Sequence, residues 1–150
     1  MHSDFKEPAM AQASATITLP VSPDRVWQLI GGFDSLPDWL PYIPRSELSE
    51  GGRVRSLVNP DGDAIVEQLE AFDQDARSYT YSILRAPFPV TGYRSTLRVV
   101  GIDGDQGARV EWSGQFTPAG VSDDEASRLF EGIYRDGLQA LQATLAGAAS

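Results

Sequence analysis

Apolar residues along this chain recur with two periods, and the switches between them outline its elements. Residues 14–20, SATITLP, alternate and are β-branched, which predicts a first strand. In the next stretch, SPDRVWQLIGGFDSLPDWLPYIP, Val26, Trp27, Leu29 and Ile30 fall at helical spacing. Ser22 is placed to cap that helix, Pro23 occupies its first position, and Gly31-Gly32 ends it. Residues 33–40 predict a second short helix, stopped by Pro41 and Pro44. Residues 45–117 then alternate as strands broken by turn residues. Segments 46–50 and 53–58 pair around Gly51-Gly52, and Asn59-Pro60-Asp61-Gly62 makes a turn. Segments 64–72 and 77–84 form the next pair, and 93–102 and 108–117 the last. Between them residues 85–90, RAPFPV, are too proline-rich for a strand.

Helical spacing returns at residues 122–147. Ala126, Leu129, Phe130, Ile133, Tyr134, Leu138, Leu141 and Leu145 make one broad stripe. Ser122 and Glu125 form a capping box, and Asp123 and Asp124 lie where the helix dipole favours negative charge. Short hairpin links force neighbouring strands to be antiparallel. The plan is α+β: a curved seven-stranded antiparallel sheet around a long C-terminal helix, with two short helices after the first strand.

Strand parity says which side chains face that helix. The inward sets are Tyr79, Tyr81 and Ile83; then Tyr93, Ser95, Leu97 and Val99; then Ala108, Val110, Trp112, Gly114 and Phe116. In segment 64–72 the set Ile65, Glu67, Leu69 and Ala71 includes a carboxylate. In segment 53–58 one parity turns Arg55 and Leu57 inward, the other Val54, Ser56 and Val58. Two readings stand for Glu67 and Arg55: a surface salt bridge at a strand edge, or a polar anchor inside an apolar interior. Trp39 and Tyr42 either pack on the sheet or wall a pocket. Gly132 and Gly137, unfavourable inside a helix, indicate close packing or space for a ligand.

Composition narrows the chemistry. The 150 residues suffice for one domain, expected at 14–147 behind a flexible arm at 1–13. A net charge of −9 without a basic stripe disfavours nucleic acid and anionic membrane. No apolar run is long enough to span a bilayer, and the N-terminus lacks a signal-peptide core, so a cytoplasmic protein is expected. Cysteine is absent, His2 is the only histidine and Lys6 the only lysine. Triads, thiolate nucleophiles, metal centres and Schiff bases are therefore not expected, and no cofactor is implied.

The order of elements, the segment FDSLPDWLPYIP and the stretch EQLEAFDQDARSYTYSILRAPFPVTGYRSTLRVV resemble the START/birch-pollen-allergen-like superfamily (SRPBCC, the helix-grip fold). Within it the chain is most similar to bacterial polyketide cyclase/dehydrase-like proteins and to plant abscisic-acid receptors. The resemblance implies a cavity lined by Arg55, Leu57, Glu67, Tyr81, Ile83, Tyr93 and Ser95, with Phe130 and Tyr134 contributed by the long helix. It puts Asn59-Pro60-Asp61-Gly62 at the receptors' gate and residues 85–90 at their latch. Where the receptors hold a carboxylate with lysine, this chain has Leu40, and its latch lacks their histidine. Trp39, Tyr79 and Trp112 complete the expected ligand-binding set.

Two functions from different classes follow. One is a binder of a small, mostly apolar polyketide, lipid or isoprenoid-like molecule, which requires no catalytic residue. The other is a cyclase or dehydratase with Glu67 as acid/base and Arg55 or Tyr93 stabilising an enolate. A chaperone-like module would instead demand a filled interior and a large exposed apolar patch. Binding is the favoured expectation; oligomeric state is not legible.

Overall fold

A computed structural model of the protein describes residues 10–148. The chain forms β1 (Ala11–Leu19), α1 (Pro23–Ile30), α2 (Leu36–Trp39), β2 (Ser46–Ser49), β3 (Val54–Val58), β4 (Ala64–Asp73), β5 (Ser78–Arg85), β6 (Val90–Ile102), β7 (Gly107–Pro118) and α3 (Asp123–Ala148). The expected α+β architecture is present: one seven-stranded antiparallel sheet ordered β1-β7-β6-β5-β4-β3-β2. Every neighbouring pair after the first is a sequential hairpin. Pairing of β1 with β7 brings the first and last strands together, and α3 packs mainly on those two strands.

Local signals set the boundaries. Ser22 Oγ accepts from the Arg25 N–H at 3.3 Å, and Ser122 Oγ from the Glu125 N–H at 3.1 Å, as N-caps do. The second cap is not a full capping box, because the Glu125 carboxylate accepts from the Ser122 hydroxyl rather than from its backbone. Asn59 Oδ1 accepts from the N–H groups of Asp61 and Asp63, which closes the predicted turn.

Several boundaries differ from expectation, each for a tertiary reason. The first strand begins at Ala11, not at residue 14, because Ala11 and Ala13 pair with Phe116 and Gly114 and bury their small side chains. His2 and the rest of the arm through residue 9 lie outside the described residues. The second helix shrinks to one turn, since Phe33, Asp34 and Ser35 precede its first helical residue. A 3-10 turn at Glu50–Gly52 separates β2 from β3, with positive φ at Glu50, Gly51 and Gly52. Strand β6 starts at Val90, ahead of the predicted Tyr93, by absorbing an irregularity between Thr91 and Arg94.

The parity expectation for Ala71 fails at a bulge. Register shifts between Leu69 and Ala71, so Phe72 faces Tyr79 across the ladder and Ala71 turns outward. Phe72 then packs on Trp27 at 5.7 Å. In α3, Leu129 is exposed, because it lies at the edge of the stripe beyond the reach of the sheet.

Candidate functional site

The polar centre of the interior is built across the β3–β4 ladder. Arg55 and Glu67 are directly opposed in register, so both side chains rise from the same face of the sheet. Arg55 is 1% exposed and Glu67 6%. The inward parity of Arg55 and Leu57 is the one the protein adopts. Arg55 Nε donates to Glu67 Oε1 at 2.7 Å, and its Nη1 to the Phe33 carbonyl at 3.0 Å and the Tyr79 hydroxyl at 3.2 Å. The guanidinium also lies over the rings of Phe33 and Tyr81, at 4.3 and 4.7 Å. Burial pushes the Glu67 carboxyl above the usual carboxylate range, while Arg55 pulls it back. For Arg55, burial favours the neutral form, but Tyr79 and Glu67 outweigh it and the side chain stays charged.

Beside this pair, four hydroxyls and one indole meet. Trp112 Nε1 donates to Tyr81 OH at 3.2 Å and to Ser95 Oγ at 3.1 Å. Ser95 in turn donates to the Ser113 carbonyl at 2.7 Å. Tyr93 OH and Tyr134 OH are hydrogen-bonded to each other, linking β6 to α3. Gly114 makes that approach possible, because a Cβ there would collide with the Tyr134 hydroxyl. Burial raises the phenol groups of Tyr81 and Tyr93 far above normal and pushes Tyr134 up to about 12. All of them are neutral hydroxyls at physiological pH.

Above these groups lies a cavity of about 240 Å³. Arg55, Glu67, Tyr81, Tyr93, Trp112 and Tyr134 supply its polar end, and Leu57, Ile83 and Phe130 part of its apolar wall. Three expected lining residues do not reach it. Trp39 packs behind Trp112 with ring centroids 5.8 Å apart. Tyr79 sits between Trp27 and Phe33, where its hydroxyl accepts from Arg55. Ser95 lies beneath the tyrosine hydroxyls it supports. Tyr79 and Ser95 lie too far down the sheet to face open space, and Trp39 is held behind the Trp112 ring. Gly137 likewise serves packing, since a Cβ there would lie 2.6 Å from the Trp112 ring; Gly132 has no neighbour within 4 Å.

The wall also contains residues outside the expected binding set: Leu36, Leu40, Tyr42 and Ile43 from the α2 segment, with Ile65 and Ile133. Asn59, Pro60 and Phe88 reach it from the two connecting loops. Ile65 shares the parity of Glu67, and Ile133 follows Phe130 by three helical positions, so both carried a legible signal. Tyr42 had a pocket-wall reading beside a packing one, and the resemblance put Leu40 at the receptors' ligand contact; Leu36 and Ile43 carried no signal, because only the folded connection brings them over the sheet. Burial and then Asp136 push the Tyr42 phenol up to about 12. A larger groove of about 450 Å³ crosses outward-facing side chains such as Ser14, Thr80, Thr96 and Ser113. It is polar and lacks buried groups converging on one point, so the interior cavity is the candidate site.

Fold and cavity together define a helix-grip protein: a curved sheet closed over a hollow by its last helix. The chain belongs to the family described as polyketide cyclase / dehydrase and lipid transport, whose profile matches residues 10–146. It is similar to the solved structure of XoxI from Bacillus cereus, with 57% identity and a TM-score of 0.90 over 94% of this chain and 99% of that one. An uncharacterized protein from Bacillus thuringiensis is 58% identical, with a TM-score of 0.87 over 90% and 99% of the two chains. The Zhui aromatase/cyclase from Streptomyces sp. R1128 shares the fold at 18% identity, with a TM-score of 0.73 over 94% of each chain. No match was found among curated proteins. Among the described residues, no helix is long and apolar enough to cross a membrane.

Proposed function

We propose that this protein binds a small, mostly apolar molecule of polyketide, lipid or isoprenoid type in the cavity between sheet and α3. The observation that carries this reading is the cavity's asymmetry. Its walls are apolar, while buried hydroxyls and one ion pair converge at a single end. Such an arrangement orients a ligand by its one polar group and desolvates the rest. Native mass spectrometry of protein isolated from its own host should reveal a co-purifying small molecule. Ile133→Trp, which fills the cavity, should abolish that retention; undiminished retention by this variant would place the ligand elsewhere and end the proposal.

An enzymatic use of the same cavity has one specific observation in its favour. Among the described residues, Glu67 Oε2 accepts no hydrogen bond, although Oε1 is held by Arg55. A carboxylate with one oxygen anchored, the other free and its pKa raised by burial suits a general base, and neutral tyrosine hydroxyls beside it suit stabilisation of an enolate. Glu67→Gln separates the two readings. A binder keeps its ligand with modest loss, whereas a base-dependent cyclase or dehydratase keeps binding and loses turnover about 100-fold or more.

A further inference from the structure

We infer that the cavity selects a neutral molecule of one or two rings bearing a hydroxyl or carbonyl oxygen, and rejects the carboxylate of the same ring system. This deepens the binding role proposed above and rests on it.

Charge is the first ground. Arg55 and Glu67 are the only ionic side chains lining the cavity among the described residues, and they neutralise each other at 2.7 Å. The remaining nitrogen contacts of Arg55 are to neutral oxygens, the Phe33 carbonyl and the Tyr79 hydroxyl. No uncompensated cation is left for an anionic ligand, and Leu40 contributes only hydrocarbon to the wall. A carboxylate entering here would lose its hydration opposite Glu67, on a protein whose net charge is −9.

The hydrogen-bond count is the second. Tyr81, Tyr93 and Tyr134 bring three phenolic protons. One is used within the Tyr93–Tyr134 pair. The indole N–H of Trp112 is donor-only and occupies the Tyr81 oxygen, so the Tyr81 proton must find an acceptor elsewhere. Ser95 gives its own proton to the Ser113 carbonyl and already accepts from Trp112, which leaves it room for one more. Two phenolic protons therefore remain for one place on Ser95, and among the described residues the second makes no hydrogen bond to another protein acceptor. A ligand oxygen satisfies it, and Glu67 Oε2 stands free to accept from a ligand hydroxyl.

Size is the third. An apolar cavity of roughly 150 Å³ accommodates benzene. The 240 Å³ here admits a substituted ring or two small fused rings.

Calorimetric titration with naphthalene, naphthol, naphthoate and dodecanol at about pH 8, where naphthoate is ionised and naphthol largely neutral, tests the inference. Naphthol should bind about 100-fold more tightly than naphthoate. Tyr81→Phe should weaken naphthol about tenfold and leave naphthalene unchanged. Ile83→Lys, at a half-buried wall position, should bring naphthoate level with naphthol or ahead of it; if Tyr81→Phe fails to fold, this variant carries the test. Naphthoate rivalling naphthol on the unaltered protein, or naphthalene matching naphthol, overturns the selectivity and leaves the binding role intact. Dodecanol binding while every ring compound fails does the same. Failure of all four compounds overturns the selectivity together with the role beneath it.

Discussion

The two halves of α3 meet the same sheet and produce different interiors. Around Phe130 and Tyr134 the helix covers the cavity, against Tyr93, Trp112 and the Arg55–Glu67 end. From Leu138 through Leu141 to Leu145 it closes a filled core, with Leu141 wholly buried. Strand β6 changes character at the same level: Tyr93 and Ser95 belong to the hollow half, and Leu97 and Val99, at 0% and 1% exposure, to the filled half. Aliphatic side chains adjust to one another and leave no space. Aromatic side chains with polar tips are held by hydrogen bonds as well as by contact, and their rigid rings span a gap without closing it. The Tyr93–Tyr134 and Trp112–Tyr81 bonds act as struts.

The largest test removes the buried cation of the hollow half. Arg55→Met leaves Glu67 buried without its cation and should cost about 4 kcal/mol in urea unfolding. Adding Glu67→Leu should recover most of that loss. A cost below about 1 kcal/mol for the single variant would mean that the hollow half owes little to its ion pair. Truncation on either side of the divide probes packing directly. Leu141→Ala should lose about 3 kcal/mol. Ile133→Ala, half-buried beside existing space, should lose about 1 kcal/mol. Equal losses would break the contrast.

The glycines of α3 offer a finer measurement. Gly137→Ala pushes a methyl into the Trp112 ring and should cost about 1 kcal/mol after the gain in helix propensity. Gly132→Ala meets nothing and should gain up to about 1 kcal/mol in the same thermal melt. A further test is alkaline. Burial holds the Tyr134 phenol near 12, above its value in the unfolded chain, so unfolding releases a proton first. Stability should be level below about pH 10 and fall between there and 12. Denaturation midpoints rising over that interval would contradict the burial of Tyr134.

Much of this protein was legible in its residue pattern, for reasons the exceptions make plain. Alternation in β5, β6 and β7 orders their inward faces because a strand cannot rotate one residue without rotating its neighbours. Parity failed where β4 bulges, at Ala71, since an unpaired residue reverses the alternation beyond it. Glu67 stood out as a carboxylate within an apolar set. Tyr79 and Ser95 did not betray that they lie behind the cavity, because parity reports a face and not a depth.

By itself, the order of periods determined a seven-stranded sheet gripping a capped C-terminal helix, and it turned Glu67 and three tyrosines toward that helix. These are local matters: each depends on a pattern repeated within one element. Only the tertiary structure decided that Arg55 lies opposite Glu67, that Trp112 occupies the Tyr81 oxygen, and that the α2 segment closes a space of about 240 Å³. Those outcomes depend on register, bulges and the distance between distant segments, which side-chain periodicity does not encode.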